Sequence, residues 1–215
     1  MLGTGEIYTA TIRDNLRPLF ANWEPATPIE LGDYGLLHDG LFSHLGNIRT
    51  LKFTFGVREH AEHDHKSFSS KGKTQVSVHA KGKHYAKATL QISFQAADAV
   101  FFNAADCKHI LVEDKVALGR KIMDLFRRKE WKKSWVVVTE IVKAGSTTVA
   151  ISGSDASSLV LEASADIPHI DLADASAGLQ LRSENSVGFH VIAKKGLTPL
   201  FGLSGIQSPF LGFNK

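Results

Sequence analysis

Between residues 74 and 95 the chain alternates. Val76, Val78 and Ala80 are separated by polar residues, and Ala88, Leu90, Ile92 and Phe94 repeat the pattern beyond Lys81-Gly82-Lys83. A period of two sends successive side chains to opposite faces of a pleated strand. The stretch therefore predicts a hairpin of two strands, 74–80 and 85–95, in a sheet with one buried face. Similar short runs recur. Residues 35–37 and 41–42 flank Asp39-Gly40, a dipeptide that favours tight hairpins. Leu51, Phe53, Phe55 and Val57 alternate over 50–57, and further strands are expected at 98–103, 134–143, 147–152, 159–163, 178–181 and 189–193. Gly145-Ser146 and Gly153-Ser154-Asp155 read as turns. Residues 58–73 read as a polar loop. The tail from Gly196, with Leu200, Phe201, Phe210 and Phe213, is too apolar to lie uncovered.

Helix periodicity is clearest over 113–129. Val116, Leu118, Ile122, Leu125 and Phe126 form an apolar stripe, with Glu113 and Asp114 at its start and Arg127, Arg128 and Lys129 at its end. That charge order complements the helix dipole. A second apolar spacing over 7–23 suits a helix interrupted near Pro18. Strands follow one another without a βαβα alternation, which argues against a parallel α/β sheet. The expected fold is α+β: a single domain over residues 1–215, with a mainly antiparallel twisted sheet and one principal amphipathic helix.

Composition narrows the function classes. With 43% hydrophobic and 22% charged residues, the chain can bury a core and does not read as disordered. Its one cysteine, Cys107, excludes an intramolecular disulfide and a four-cysteine zinc site. Following the apolar run 99–102, Cys107 reads as a small buried hydrophobe. No window approaches the roughly 18 consecutive apolar residues of a membrane helix, and the first ten residues lack a signal-peptide pattern. A cytoplasmic location is therefore expected. The net charge of +3 is too small to imply a nucleic-acid binder by itself.

Catalytic motifs are absent. Lys71-Gly72-Lys73-Thr74 ends like a phosphate-binding loop but lacks the first glycine. Neither Ile151-Ser152-Gly153-Ser154 nor Gly202-Leu203-Ser204-Gly205 is a nucleophile elbow. This favours a protein without enzymatic activity, and no cofactor is called for. Two clusters remain. His60, His63 and His65, interleaved with Glu59, Glu62 and Asp64, carry donors suited to a transition metal, but not at the spacing of an established site. A solvated polar loop is the preferred reading there. Basic residues gather on the hairpin (Lys71, Lys73, Lys81, Lys83, Lys87) and after the principal helix. There Arg127, Arg128, Lys132 and Lys133 stand with Trp131 and Trp135 among them. Such a surface suits anionic lipid headgroups, an acidic protein or a phosphate backbone.

The order of these features resembles the pore-forming domain of gasdermins. What carries the resemblance is the alternating hairpin of 73–95, the basic amphipathic helix, and then Trp135-Val136-Val137-Val138-Thr139-Glu140-Ile141 with further strands, in all residues 73–193. The resemblance implies a basic helix and flanking strands that contact acidic lipids, and long hairpins that insert to build a β-barrel pore. The chain departs from bacterial members, where a lipid-carrying cysteine is expected near the N-terminus, because its cysteine is at position 107.

Three functions are thus weighed. The first is a non-enzymatic interaction domain that meets anionic lipid or an acidic protein surface through Arg127, Arg128, Lys132 and Lys133. The second is a metal- or small-ligand-binding domain using His60, His63 and His65. The third, ranked last, is a nucleic-acid-binding accessory protein. Self-association stays open.

Overall fold

Gly145-Ser146 does not turn. The β-branched residues on either side of it run as one 18-residue strand, Trp135–Ser152, and the fold is built around that strand. The computed structural model describes residues 3–24, 27–60, 64–79, 88–163, 170–174 and 178–206, with the side chains of 193 and 194 left aside. Their elements, in chain order, are α1 (Thr4–Asn15), β1 (Phe20–Ala21), β2 (Asp33–His38), β3 (Leu41–Asn47), a 3-10 turn (Ile48–Leu51), β4 (Val57–Glu59), β5 (Asp64–Ser69), β6 (Thr74–His79), β7 (Thr89–Phe94), β8 (Val100–Val112), α2 (Lys115–Arg127), β9 (Trp135–Ser152), β10 (Ser158–Ala163), β11 (Leu179–Asn185), β12 (Val187–Lys194) and β13 (Leu197–Gly205).

Every pairing between these strands is antiparallel. β9 anchors a nine-stranded sheet. β8 pairs with it from Val100↔Ile151 to Leu111↔Glu140, and β2 continues the same edge at Tyr34↔Val137. The opposite edge carries β13 and then β12. β4 and β5 pair with the outer edge of β8, β3 with β2, and β1 with β13. A second sheet has the order β11-β10-β7-β6.

Three apolar clusters hold these layers. On one face of the large sheet, Tyr8 and Ile12 of α1 meet Val100, Phe102, Ala104, Cys107, Val142, Val149 and Ile151. At one end of the sheet, Leu118, Ile122 and Leu125 of α2 pack with Ile110, Val112, Val137 and Ile141. At the other end, Leu90 and Ile92 of β7 and Leu159 and Leu161 of β10 cover Phe101 and Ala150. The inward residues of β9 change parity, from Val142 and Ala144 to Val149 and Ile151. The change is absorbed at Gly145-Ser146, opposite Asp106, whose φ is 55°. A glycine inside a strand often marks such an irregularity, and here the dipeptide is a kink, not a turn.

Several expectations are borne out. The Asp39-Gly40 turn closes β2 onto β3 with φ of 51° and 81°, and the 74–95 alternation gives β6 and β7 in register from Thr74↔Phe94 to His79↔Thr89. Helix α2 is capped by Asp114, whose carboxylate accepts from the Ala117 N–H at 2.8 Å.

The α+β expectation is corrected. Of the described residues 53% are strand and 16% helix, the helices are two, and the fold is β-rich with two antiparallel sheets. α1, at 12 residues, is nearly as long as α2, at 13, so neither is the principal helix. The shortfall in expected strand has identifiable causes. Residues 57–59 and 64–69 are polar because they form the outermost strands on β8, exposed on much of their surface, not because they are loop. Residues 197–205 form β13, and so cover most of the described part of the apolar tail. The alternation over 50–57 does not make a strand. Phe53 and Phe55 pack half-buried near α2 without a ladder partner, and only from Val57 does pairing begin. The tail residues Phe210 and Phe213 lie outside the described residues.

Candidate functional site

The basic cluster sits where α2 ends and the chain returns into β9. Arg128 caps the helix, and Lys129 adopts φ of 63° so that the backbone can turn back. Trp131 then drops into the core, 3% exposed, against Tyr34 at 5.2 Å and edge-to-face with Trp135 at 5.3 Å. Trp135 is half-buried and lies tilted against Tyr34 at 5.2 Å, with the Lys132 ammonium 5.7 Å from its ring. The two tryptophans are therefore the anchor that fixes the basic turn to the sheet. Trp131 is not offered to a partner surface.

The cations point outward. Arg127 pairs with Asp124 at 2.7 Å and Arg128 with Glu130 at 3.2 Å, and all four side chains are more than half exposed. Exposed pairs of this kind contribute about 0–1 kcal/mol and are screened by salt, so the arginines can exchange partners. Lys132 and Lys133 are exposed beside them. Arg120 and Arg127, two helical turns apart, lie on the face of α2 opposite the buried Leu118, Ile122 and Leu125, together with Val116, which is 65% exposed. On the hairpin, Lys71 and Lys73 are exposed, while Lys81, Lys83 and Lys87 lie outside the described residues.

The histidine segment divides. His63 lies outside the described residues. His60, just past β4, gives its N–H to the carbonyl of His109 at 3.0 Å and stacks on that ring at 5.7 Å. His65, on β5, approaches Asn103 Oδ1 with its Nε2 at 2.5 Å. Because the Asn103 amide nitrogen donates to the carbonyl of Leu172, its oxygen accepts, and the His65 Nε2 carries the hydrogen. Among the described residues no group of three or more His, Cys, Asp or Glu side chains is placed to hold a metal ion.

A polar group not foreseen from the sequence lies next to His60. His109 of β8 places Nδ1 2.7 Å from Glu140 Oε1 of β9, and its Nε2 is 3.4 Å from Asp64 Oδ2 of β5. Lys66 pairs with Asp64 at 2.5 Å, and Lys115 of α2 is 4.0 Å from Glu140. The side chains of His109 and Glu140 are only 13% and 14% exposed. The hydrogen bond to Glu140 raises the His109 pKa above its ordinary value against the opposing effect of burial. The same bond lowers that of Glu140. This clasp joins three strands and α2. In sequence its members are scattered, and only strand register brings His109 and Glu140 into diagonal contact. Cys107, two residues away, is buried, and burial pushes its thiol up to about 12, so it is not a ready nucleophile.

The chain matches no family model and no curated protein. Among the described residues no helix is long and apolar enough to cross a membrane.

Proposed function

We propose that the protein is a non-enzymatic interaction domain that docks on an anionic surface, foremost a membrane containing acidic lipid, through the turn after α2. The observation that carries this reading is the exposed cation set Arg127, Arg128, Lys132 and Lys133, on a turn whose Trp131 is buried in the core. Each cation near an acidic bilayer contributes roughly 1 kcal/mol. Four give a binding term of a few kcal/mol that salt weakens. Because Trp131 is committed to the core, attraction at this turn is mainly electrostatic.

The test is co-sedimentation with acidic and neutral vesicles, using wild type and a variant with all four positions reversed to Glu. Acidic vesicles pellet the wild type and release it in salt, and the variant stays in the supernatant. Equal pelleting with both lipids, or an unchanged variant, defeats the reading. The gasdermin-like extension of this proposal is pore formation. Dye release from the same vesicles supports it, and binding without leakage removes it while leaving a peripheral role intact.

A further inference from the structure

Away from both clusters, a cavity of about 290 Å³ opens between β1 and the β2–β3 hairpin. That volume is at the lower end of small-molecule sites. Its apolar walls include Trp23, Phe42 and Phe201. Its polar lining is dominated by acceptors. Asp33, 7% exposed, is fixed by the backbone N–H of Glu30 and the amide of Asn47, both at 2.8 Å. These neutral donors hold the carboxylate without cancelling its charge. Glu24 brings a second carboxylate, to which Thr27 donates its hydroxyl hydrogen at 2.9 Å. Asn22, 6% exposed, donates its amide nitrogen to the carbonyls of Thr27 and Thr198, so its oxygen is what it offers a ligand. The one ring donor is His44, whose Nε2 lies 3.4 Å from Asp33 and whose side chain is largely exposed. No lysine or arginine lines the cavity among the described residues.

We infer that this cavity binds a small primary ammonium ion carrying a short apolar body. The ammonium supplies hydrogens, as charge-assisted hydrogen bonds, to acceptors that, among the described residues, have no lysine or arginine beside them in the cavity. The body lies against the aromatic walls. A carboxylate ligand meets two like charges. A neutral ligand displaces water from Glu24 and Asp33 without replacing it. A quaternary ammonium has no hydrogens to give. The shared chemistry belongs to a free amine and to a lysine side chain alike.

The experiment is calorimetric titration of the full chain with phenethylammonium, 2-phenylethanol and phenylacetate, three probes of one shape and different charge. Phenethylammonium saturates, the alcohol binds at least tenfold more weakly, and phenylacetate does not bind. Nα-acetyl-lysine amide in a parallel titration separates a lysine ligand from a free amine. Glu24→Gln weakens the ammonium tenfold, and His44→Lys, which sets a cation at the rim, abolishes binding. Both positions are exposed enough to leave the melting temperature in place. Alcohol binding as tight as the ammonium, no saturation by the ammonium, or indifference to both variants in folded protein overturns the inference.

Discussion

The two charged regions of this protein work in opposite ways. At the His109 clasp, His109 and Glu140 are enclosed between β8, β9, β5 and α2 and hydrogen-bond each other, with Asp64 and Lys115 at the rim. After α2, many charges are exposed, and the arginines hold their acidic neighbours loosely across solvent. Enclosure makes the first group a determinant of which strands meet. Exposure leaves the second group available to something outside the molecule. A count of charges along the chain does not separate these roles; strand register does.

The sharpest way to break the contrast is to remove one partner from the clasp. Glu140→Ala strands His109 between β8 and β5, and truncating one member of a largely buried pair costs about 3 kcal/mol. Urea unfolding measures it, and a loss below about 0.5 kcal/mol, the scale of a surface pair, erases the distinction.

The next expectation is a pH window. The His109 pKa is raised in the folded state, so its contribution is complete below its ordinary 6.5 and is lost as pH rises through the raised value. The Glu140 pKa is lowered, so its contribution is complete above its ordinary 4.5 and is lost as pH falls through the lowered value. The clasp is therefore strongest between those two ordinary values. The stability gap between wild type and His109→Gln narrows on the alkaline side of that window. A gap that is flat from acid to alkaline pH contradicts the assignment.

At the helix end the order of effects inverts. Asp124→Ala changes stability by about 0.5 kcal/mol or less, because its bond to Arg127 is exposed and an acidic side chain near a helix C-terminus opposes the dipole. On the proposed docking surface the same change frees Arg127 and strengthens binding to acidic vesicles by up to about 1 kcal/mol. Weaker binding places the contact elsewhere. A loss of stability of similar size is expected for Lys132→Ala, whose exposed cation–π contact contributes about 0.5 kcal/mol and is read by urea unfolding.

How far these regions were legible in the sequence follows from the same distinction. Local chemistry announced the Asp39-Gly40 hairpin, the β6–β7 alternation and α2, because turn residues and period act within a few positions. The cluster at Arg127, Arg128, Lys132 and Lys133 was visible as composition, but Trp131 as its buried anchor was not. Tyr34, which meets that indole, lies nearly a hundred residues upstream. β4 and β5 were hidden because polar outer strands look like loop. Gly145-Ser146 misled because β8 on one side and β12 and β13 on the other hold the backbone extended where its own chemistry favours a turn. His109 and Glu140 had no local signal at all.

The pairing of β1 with β13 has a consequence in time. Phe20 meets Phe201, and Ala21 meets Leu200. On a ribosome adding roughly 5–20 residues per second, the first strand emerges about 10–40 s before its partner is made. Through that interval Phe20 and α1 lack the apolar floor that β13 and β9 provide, and a nascent chain halted before Leu197 keeps a sticky, unfinished edge. Closing the large sheet thus waits for β13, the last of the described strands, and until it is made the apolar surface of Phe20 and α1 stays open.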